Sequence, residues 1–381
     1  MPMITNALPL SLYIHIPWCV RKCPYCDFNS HEMKQALPEE LYVNALLQEI
    51  DQHLSLIEDR PLISIFFGGG TPSLFSGRAI AAILDGVAKR IKFDNHIEIT
   101  LEANPGTIDE GRFQDFYQAG VNRLSLGIQS LQDDKLKMLG RIHDHTSAIR
   151  AIQTARQAFN NFNLDLMFGL PNQTISDVIH DLQQALDFSP THLSWYQLTI
   201  EPNTYFYRHT PVLPQDELIW EMQQAGQSLL REYGFKQYEV SAYSQALLEC
   251  KHNRNYWEFG DYLGIGAGAH SKITCAKTGE IKRFSQVKHP RDYLDAEKRK
   301  HFSPQIISEK DLIFEFMLNA LRLTDGVRTS LFTKRTGISL AKIQPILQQA
   351  QSRDLLIKDD NMICPTELGK RFLNDLIEMF L

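Results

Sequence analysis

The chain has 381 residues, 43% of them hydrophobic, and its 39 basic and 45 acidic side chains give a formal net charge of -6 at pH 7. This acidic balance argues against a general binder of polyanions, so we expect no nucleic-acid partner. The first residues lack a basic region and a small-residue cleavage pattern, and no apolar run reaches the ~18 residues that cross a bilayer, so we expect a cytoplasmic protein without a transmembrane segment.

Three cysteines follow the first predicted strand, at residues 10–16. They have the spacing Cys-x-x-x-Cys-x-x-Cys and are Cys19, Cys23 and Cys26. Three thiolates can each ligate one iron of a cubane cluster and leave the fourth iron open to an exogenous chelator. A zinc site completed by His15 and His31 is an alternative, and unrelated structural thiols are another.

Short β-rich runs and longer helical patterns alternate over the first 233 residues. The predicted strands lie at 10–16, 62–67, 96–101, 123–126, 162–167 and 192–198. Helices are predicted at 38–57, 78–91, 109–118, 146–159, 176–186 and 214–233. Six strand-then-helix units in a row imply a parallel sheet with right-handed crossovers.

Small or polar residues occur at the ends of all six predicted strands. Glycines 68–70 follow the second strand, Glu102 follows the third, Gln129 follows the fourth, and Asp165 lies in the fifth. A site in a parallel barrel is assembled from the carboxyl ends of many strands, whereas an open sheet concentrates its site at one switch point. We therefore predict an α/β fold with a partial (β/α)6 barrel.

The C-terminal residues form a separate unit. Predicted helices at 310–323, 329–335 and 340–352, a hairpin at 355–365 and a final helix from Glu367 resemble a winged-helix arrangement. Residues 329–381 hold seven basic and six acidic side chains, so we expect packing or partner docking rather than nucleic-acid binding. The predicted organisation is a barrel at 1–240 with a cluster loop at 17–29, a connecting region at 241–305, and a small winged-helix-like α+β domain at 306–381.

These motifs resemble those of the radical S-adenosylmethionine (SAM) proteins. The resemblance narrows to the anaerobic coproporphyrinogen oxidase group through residues 13–19, 67–72, 102–105, 126–130 and 264–271, and it spans essentially the whole chain. It implies a [4Fe-4S] cluster on the three cysteines and SAM, whose amino and carboxylate groups chelate the open iron. The residues implied to line the SAM site are Tyr13, Tyr25, Gly69, Gly70, Thr71, Glu102, Gln129, Arg141 and Asp165.

Two functions within this group differ in a few residues. The oxygen-independent coproporphyrinogen-III dehydrogenase, a decarboxylase of porphyrin biosynthesis, carries a further cysteine two residues after the last cluster cysteine, where this chain has Phe28. It also has a longer N-terminal extension. Residues 251–257 instead resemble the His-Asn-x-x-Tyr-Trp motif of the HemW heme chaperones. That resemblance implies a heme site at His252, Tyr256 and Trp257.

The motif is chemically suited to heme, because a neutral imidazole is a common axial ligand and aromatic rings can cover a porphyrin face. Without the resemblance, a histidine satisfied in a loop beside a packed tryptophan would be the simpler interpretation. We interpret the chain as a heme chaperone; the dehydrogenase and a zinc-stabilised protein without redox chemistry are the alternatives. The implied partners are heme, a heme-accepting apoprotein and an electron donor such as flavodoxin or ferredoxin. The sequence is also compatible with peripheral membrane contact and with a homodimer.

Overall fold

The protein is built around a twelve-stranded sheet. The structure is a computed structural model that describes residues 8–107, 112–300 and 303–381. Its strands, numbered along the chain, are β1 (Leu10–Ile16), β2 (Leu62–Gly69), β3 (Phe93–Ala103), β4 (Arg123–Gln129), β5 (Phe162–Phe168), β6 (His192–Gln197), β7 (Lys236–Glu239), β8 (Ala242–Ser244), β9 (Asp261–Ile265), β10 (His270–Thr274), β11 (Ile281–Ser285) and β12 (Gln305–Ile306). They are ordered β12-β11-β10-β9-β1-β2-β3-β4-β5-β6-β8-β7. The seven strands from β9 to β6 are parallel, and the outer strands pair antiparallel.

Successive side chains of the parallel strands point alternately to a polar inner face and an apolar outer face of the sheet. In β4, Arg123 and Ser125 point to the interior of the curved sheet, and Leu124 and Leu126 point outward into the main hydrophobic core. The same period of two places Asp165 of β5 on the inner face. Since the outer face is covered by helices, the inner face is left to build a site.

The helices pack mainly on the outer face of the sheet. They are α1 (Glu39–Ile57), α2 (Gly77–Ala88), α3 (Arg112–Gln118), α4 (Asp133–Met138), α5 (His145–Ala158), α6 (Ile175–Asp187), α7 (Tyr205–Arg208), α8 (Asp216–Glu232), α9 (Lys251–Trp257), α10 (Pro290–Leu294) and α11 (Ala296–Arg299). Side-chain caps fix several starts: Ser76 accepts from the Ala79 N–H, and Thr174 forms a capping box with Asp177. The predicted helix at 109–118 is seen from Arg112, and residues 109–111 lie outside the described residues. No helix in the described parts of the chain is long and apolar enough to span a membrane.

Helix α9 lies against the inner side of the sheet instead. The Glu98 carboxylate of β3 accepts hydrogen bonds from the Lys251 and His252 N–H groups, at 3.1 and 3.2 Å, and so caps the start of α9. Asn255 Nδ2 donates to Ser11 Oγ of β1 and to the Asp261 carbonyl of β9, both at 2.9 Å. Buried polar contacts to three strands therefore hold α9 in place.

The C-terminal unit has its own hydrophobic core. Its helices are α12 (Glu309–Ala320), α13 (Thr329–Thr336), α14 (Gln344–Ser352), α15 (Glu367–Arg371) and α16 (Leu373–Glu378). The prediction of one helix at 340–352 was wrong, because a 3₁₀ turn at Leu340–Lys342 precedes α14 and Pro345 cannot continue a helix from the preceding turn. The predicted hairpin at 355–365 is reduced to one bridge between Leu356 and Pro365, since Met362–Ile363 pairs with Val327–Arg328.

Candidate functional site

A cavity of about 440 Å³ opens at the carboxyl ends of the parallel strands. The three cysteines of the Cys-x-x-x-Cys-x-x-Cys motif line it, and all three are free thiols. Eight of the nine residues predicted to bind SAM line the same cavity. They are Tyr25, Gly69, Gly70, Thr71, Glu102, Gln129, Arg141 and Asp165. Elements that are far apart in the sequence thus converge on one site.

Each cysteine sulfur has a polar neighbour. Thr71 Oγ1 donates to Cys19 Sγ at 3.4 Å, and Arg141 Nη1 donates to Cys23 Sγ at 3.5 Å. The Ser30 hydroxyl lies 3.7 Å from the sulfur of Cys26. Hydrogen bonds to the ligating sulfurs are a common feature of iron–sulfur sites and tune their potentials. The three thiols and their donors therefore fit a cubane cluster.

The histidines beside the cysteines do not complete a zinc site. His15 Nε2 donates to the Asn29 carbonyl at 2.9 Å, which leaves Nδ1 to accept from the Tyr13 hydroxyl at 3.0 Å. His31 Nε2 lies 3.3 Å from Asn29 Oδ1, and its ring packs edge-on against His289. Within the described ranges, no group of three His, Cys, Asp or Glu side chains is placed to hold one metal ion. These contacts disfavour the zinc alternative.

The cluster loop is fastened to a distant part of the chain. Asn29 Nδ2 donates to the Ala267 carbonyl at 2.9 Å and to the Lys288 carbonyl at 2.8 Å. The Tyr42 hydroxyl donates to the His15 carbonyl and accepts from the Ala267 N–H. A Cβ at Gly266 would lie 2.4 Å from the His15 carbonyl oxygen, so the glycine-rich segment 264–271 serves close packing against the loop.

Glycines at the end of β2 allow the chain to pass close to the cluster loop. Gly69 has φ +112°, and a Cβ there would lie 2.5 Å from His15 Cε1. A Cβ at Gly70 would lie 2.5 Å from the Trp18 carbonyl oxygen. The Gly69 N–H donates to Glu102 Oε2 at 3.3 Å. The N–H groups of Gly70 and Thr71 donate to the Ile16 and Trp18 carbonyls, both at 2.8 Å, so this segment is fixed against the end of β1 and the cluster loop.

We expect Gly69→Ala to weaken SAM binding about tenfold or more, because the methyl group meets a histidine ring that two hydrogen bonds hold in place. The matched control is Gly234→Ala. Gly234 also has a positive φ, +79°, but a Cβ there meets nothing within 4 Å. Equilibrium dialysis with SAM checks both variants after cluster reconstitution. Equal affinity in the two variants would contradict the assigned role of Gly69.

Two partly buried carboxylates face the cavity. Burial and the neighbouring Asp165 raise the pKa of Glu102 to about 8, against the lowering effect of the Gly69 N–H. Burial also raises the pKa of Asp165, although the Ser125 hydroxyl and Asn163 Nδ2 donate to it at 3.2 and 2.7 Å. Such carboxylates are stabilised by a ligand that brings hydroxyl donors or positive charge. SAM carries ribose hydroxyls, an ammonium group and a sulfonium centre.

Two further residues predicted to bind SAM, Gln129 and Arg141, are positioned by the end of β4. Gln129 takes a positive φ of 70° and accepts from the Tyr196 hydroxyl at 2.8 Å. Arg141 Nη2 donates to the Gly127 carbonyl at 2.6 Å, which fixes the guanidinium beside Cys23. A left-handed conformation is uncommon for a non-glycine residue and is frequent at binding sites. Both residues are therefore oriented before a ligand arrives.

The remaining candidates line a second, interior cavity of about 310 Å³. Tyr13 is there rather than in the cluster cavity, and so are the three residues of the proposed heme motif, His252, Tyr256 and Trp257. Glu102, Ser125 and Asp165 line both cavities, so the two adjoin. Arg123 also lines the interior cavity. It was not among the predicted site residues, although the alternation of polar and apolar residues in β4 was the available signal.

His252 is held as a neutral imidazole. It is 3% exposed, and burial, with a smaller effect from Arg123, lowers its pKa to about 3. Its Nδ1 lies 3.0 Å from Ser64 Oγ, which itself donates to Ser11 Oγ at 2.8 Å. The Nδ1 atom therefore carries the proton, and Nε2 keeps a free lone pair. That Nε2 atom is buried and has no partner among the described residues.

Several known proteins are similar to this chain. A sequence profile of the Radical SAM superfamily matches residues 13–185, and a profile of the HemN C-terminal domain matches residues 307–372. The heme chaperone HemW of Haemophilus influenzae is 50% identical over 378 residues, with 98% of both chains covered. The heme chaperone HemW of Escherichia coli is 47% identical over 374 residues, with the same coverage. The chain belongs to the HemW family of radical SAM proteins.

A solved structure shows the same fold as this HemW family member. Coproporphyrinogen III oxidase (HemN) from Escherichia coli, a radical SAM enzyme, matches with a TM-score of 0.81 over 98% of this chain and 90% of that chain, at 22% identity. The predicted α/β class, with a partial radical SAM barrel and a C-terminal domain, is confirmed. The predicted resemblance to the radical SAM proteins and to the HemW family is confirmed as well.

Proposed function

We propose that the protein is a cytoplasmic heme chaperone that binds heme through His252 and transfers it to an acceptor apoprotein. The observation that carries this proposal is the buried, neutral His252, which lines a cavity adjoining the cluster cavity and whose Nε2 has no partner among the described residues. A neutral imidazole nitrogen whose partner nitrogen is hydrogen-bonded is a usual form of an axial heme ligand. The relatives named heme chaperones support the same function.

Several residues would prepare the imidazole for iron. Ser64 accepts from Nδ1–H, and this hydrogen bond selects the tautomer and raises the basicity of Nε2. Phe66 stacks on the His252 ring with centroids 5.0 Å apart, and Tyr256 lies at 5.0 Å on a tilted plane. These contacts restrict rotation of the ring. Because Tyr256 and Trp257 are only partly buried, the cavity is reachable from their side.

In the adjoining cavity, Cys19, Cys23 and Cys26 would hold a [4Fe-4S] cluster, and the residues around them would bind SAM. When bound, the cluster supplies an open iron for SAM and an electron for its reductive cleavage. Thr71 and Arg141 donate to the cysteine sulfurs, and Glu102 and Asp165 offer acceptors to the ligand. An electron donor such as flavodoxin or ferredoxin would reduce the cluster. The shared residues Glu102 and Asp165 would let SAM and heme influence each other.

We expect His252→Ala to weaken heme binding strongly, since it removes the proposed iron ligand. The measurement is titration of heme into the protein, with the Soret band as readout. His180→Ala is the matched control, because His180 is an exposed residue of helix α6 outside both cavities. An unchanged Soret band and affinity in His252→Ala would refute the ligand assignment.

Porphyrinogen chemistry provides a second test of the proposal. Phe28 lies at the rim of the cluster cavity with 58% of its surface exposed, at the position where the dehydrogenase carries a cysteine. We expect the reconstituted protein, given SAM and a reductant, to leave coproporphyrinogen III unchanged. Its conversion to protoporphyrinogen IX would establish the dehydrogenase alternative and overturn the chaperone function.

A further inference from the structure

A buried cation that forms no close ion pair with any described carboxylate lines the interior cavity. Arg123 begins β4, is 2% exposed, and lies on the inner face of the sheet. Its Nε has no hydrogen-bond partner among the described residues, and no described carboxylate lies within the 4.0 Å of an ion pair. Arginine stays protonated in proteins. A buried charge is costly unless it is paired, so this guanidinium is suited to an anion supplied by a ligand.

Three residues that line this cavity each carry a buried polar atom without a partner among the described residues. These atoms are Arg123 Nε, His252 Nε2 and Trp257 Nε1. The first is a donor that favours a carboxylate or phosphate, the second is a metal ligand or acceptor, and the third is a donor. The aromatic rings of Tyr13, Phe66 and Tyr256 also line the cavity, beside the carboxylates of Glu102 and Asp165 and four smaller polar residues. The cavity thus combines a cation, an imidazole lone pair and apolar surface.

One class of ligand uses the cation, the imidazole lone pair and the aromatic rings together, namely a planar iron complex with carboxylate side chains. We propose that Arg123 binds a propionate carboxylate of heme, with the Trp257 indole N–H as a second donor, while His252 binds the iron. This assignment rests on the proposed heme function and adds the residue that recognises the carboxylates. It also accounts for a cation buried in the barrel, which none of the described acidic residues pairs with.

A structural role for Arg123 makes a different prediction. Glu98 and Asp165 lie near enough to influence the guanidinium through space, so Arg123 could act only by balancing their charge. In that case its loss would affect every ligand of the cavity equally. If Arg123 binds a propionate, its loss affects only ligands that carry a free carboxylate. Heme and heme dimethyl ester differ in those carboxylates and share the iron and the ring.

The test therefore measures the affinity of wild type and Arg123→Gln for heme and for heme dimethyl ester in the same detergent buffer. We expect wild type to prefer heme over the ester about tenfold or more, and Arg123→Gln to lose about tenfold in heme affinity while its ester affinity changes less than about twofold. Arg328→Gln, at an exposed position outside both cavities, is the control. Equal losses for both ligands in Arg123→Gln would overturn the proposal.

Two further measurements keep the outcomes separate. If Arg123→Gln does not fold, the preference for heme over the ester is compared between wild type and the variant Arg123→Lys. Loss of that preference in Arg123→Lys supports the proposal, whereas no preference in wild type overturns it. If wild type binds neither compound, or if His252→Ala binds heme as well as wild type, the proposed heme function itself fails. A preference for heme over the ester that depends on Arg123 but not on His252 would support the carboxylate site and reject only the assignment of His252 as the iron ligand.

Discussion

Cys23→Ser is expected to abolish the iron–sulfur cluster. Anaerobically reconstituted wild type should be brown and contain about four irons per chain, whereas the variant should be nearly colourless. The expected loss is large because Cys23 is one of the three proposed thiolate ligands of the cluster, and a serine hydroxyl is a poor ligand for iron. The Arg141 hydrogen bond to the Cys23 sulfur would be lost at the same time.

Iron analysis and visible absorption measure this effect, with Cys275→Ser as the matched control. Cys275 is a free, partly buried thiol that lies outside the cluster cavity, so its replacement should leave the iron content unchanged. A colourless wild type that holds one zinc would reject both the cluster and the SAM chemistry proposed with it. Equal iron loss in the two variants would show that cysteine content in general, rather than this loop, governs iron uptake.

Asp261→Ala is expected to lower the free energy of unfolding by about 3–5 kcal/mol, because it leaves two buried cations unpaired. Asp261 is fully buried and accepts from Arg60 Nη1 at 2.6 Å and from Lys272 Nζ at 3.3 Å. The backbone N–H and hydroxyl of Thr274 also donate to it, at 2.8 and 2.9 Å. This carboxylate therefore joins β9, β10 and the segment before β2.

Chemical denaturation measures the change, and Asp325→Ala supplies a control of equal geometry. Lys236 Nζ and Asp325 Oδ2 are also 2.6 Å apart, but both side chains are 64% exposed. An exposed ion pair contributes about 0–1 kcal/mol, so Asp325→Ala should hardly change the stability. Similar effects of the two substitutions would show that burial does not determine the energetic importance of these pairs.

The pH dependence of stability should change with Asp261 in a defined direction. Burial alone would raise its pKa, but Lys272 and Arg60 outweigh burial and hold the pKa below its ordinary value. A carboxyl group with a lowered pKa in the folded state stabilises the protein above its unfolded pKa, and this stabilisation is lost as the pH falls through the folded pKa. Wild type should therefore lose this contribution in acid, and Asp261→Ala should show a correspondingly weaker acid dependence.

Local sequence patterns predicted the barrel strands well because their side chains alternate with a period of two. The strand β1 has the predicted bounds, and the other five predicted strands begin within three residues of their observed positions. Motif residues at strand ends, such as Gly69 and Gln129, converge because parallel strands share one edge. Fold and cluster cavity thus follow from patterns within single segments.

Features that depend on distant pairing could not be predicted in this way. The strand β9 pairs with β1 across about 250 residues, and its five residues carry no signal that selects this partner. The short helix α9 lies inside the barrel because Glu98 and Ser11 hold it there, and neither contact is visible in the motif itself. For the same reason, the proximity of Arg123 to His252 emerged only from the three-dimensional structure.

The anchoring of the cluster loop has a consequence for the time course of biosynthesis. Asn29 is fastened by the carbonyl of Lys288, which is translated 259 residues later. At about 5–20 residues per second, the ribosome needs roughly 13–50 s to reach that partner. During this interval the three cysteines have emerged without the segment that holds their loop. Insertion of the metal cofactor would therefore follow synthesis of most of the chain, and a nascent or truncated polypeptide would carry three unprotected thiols.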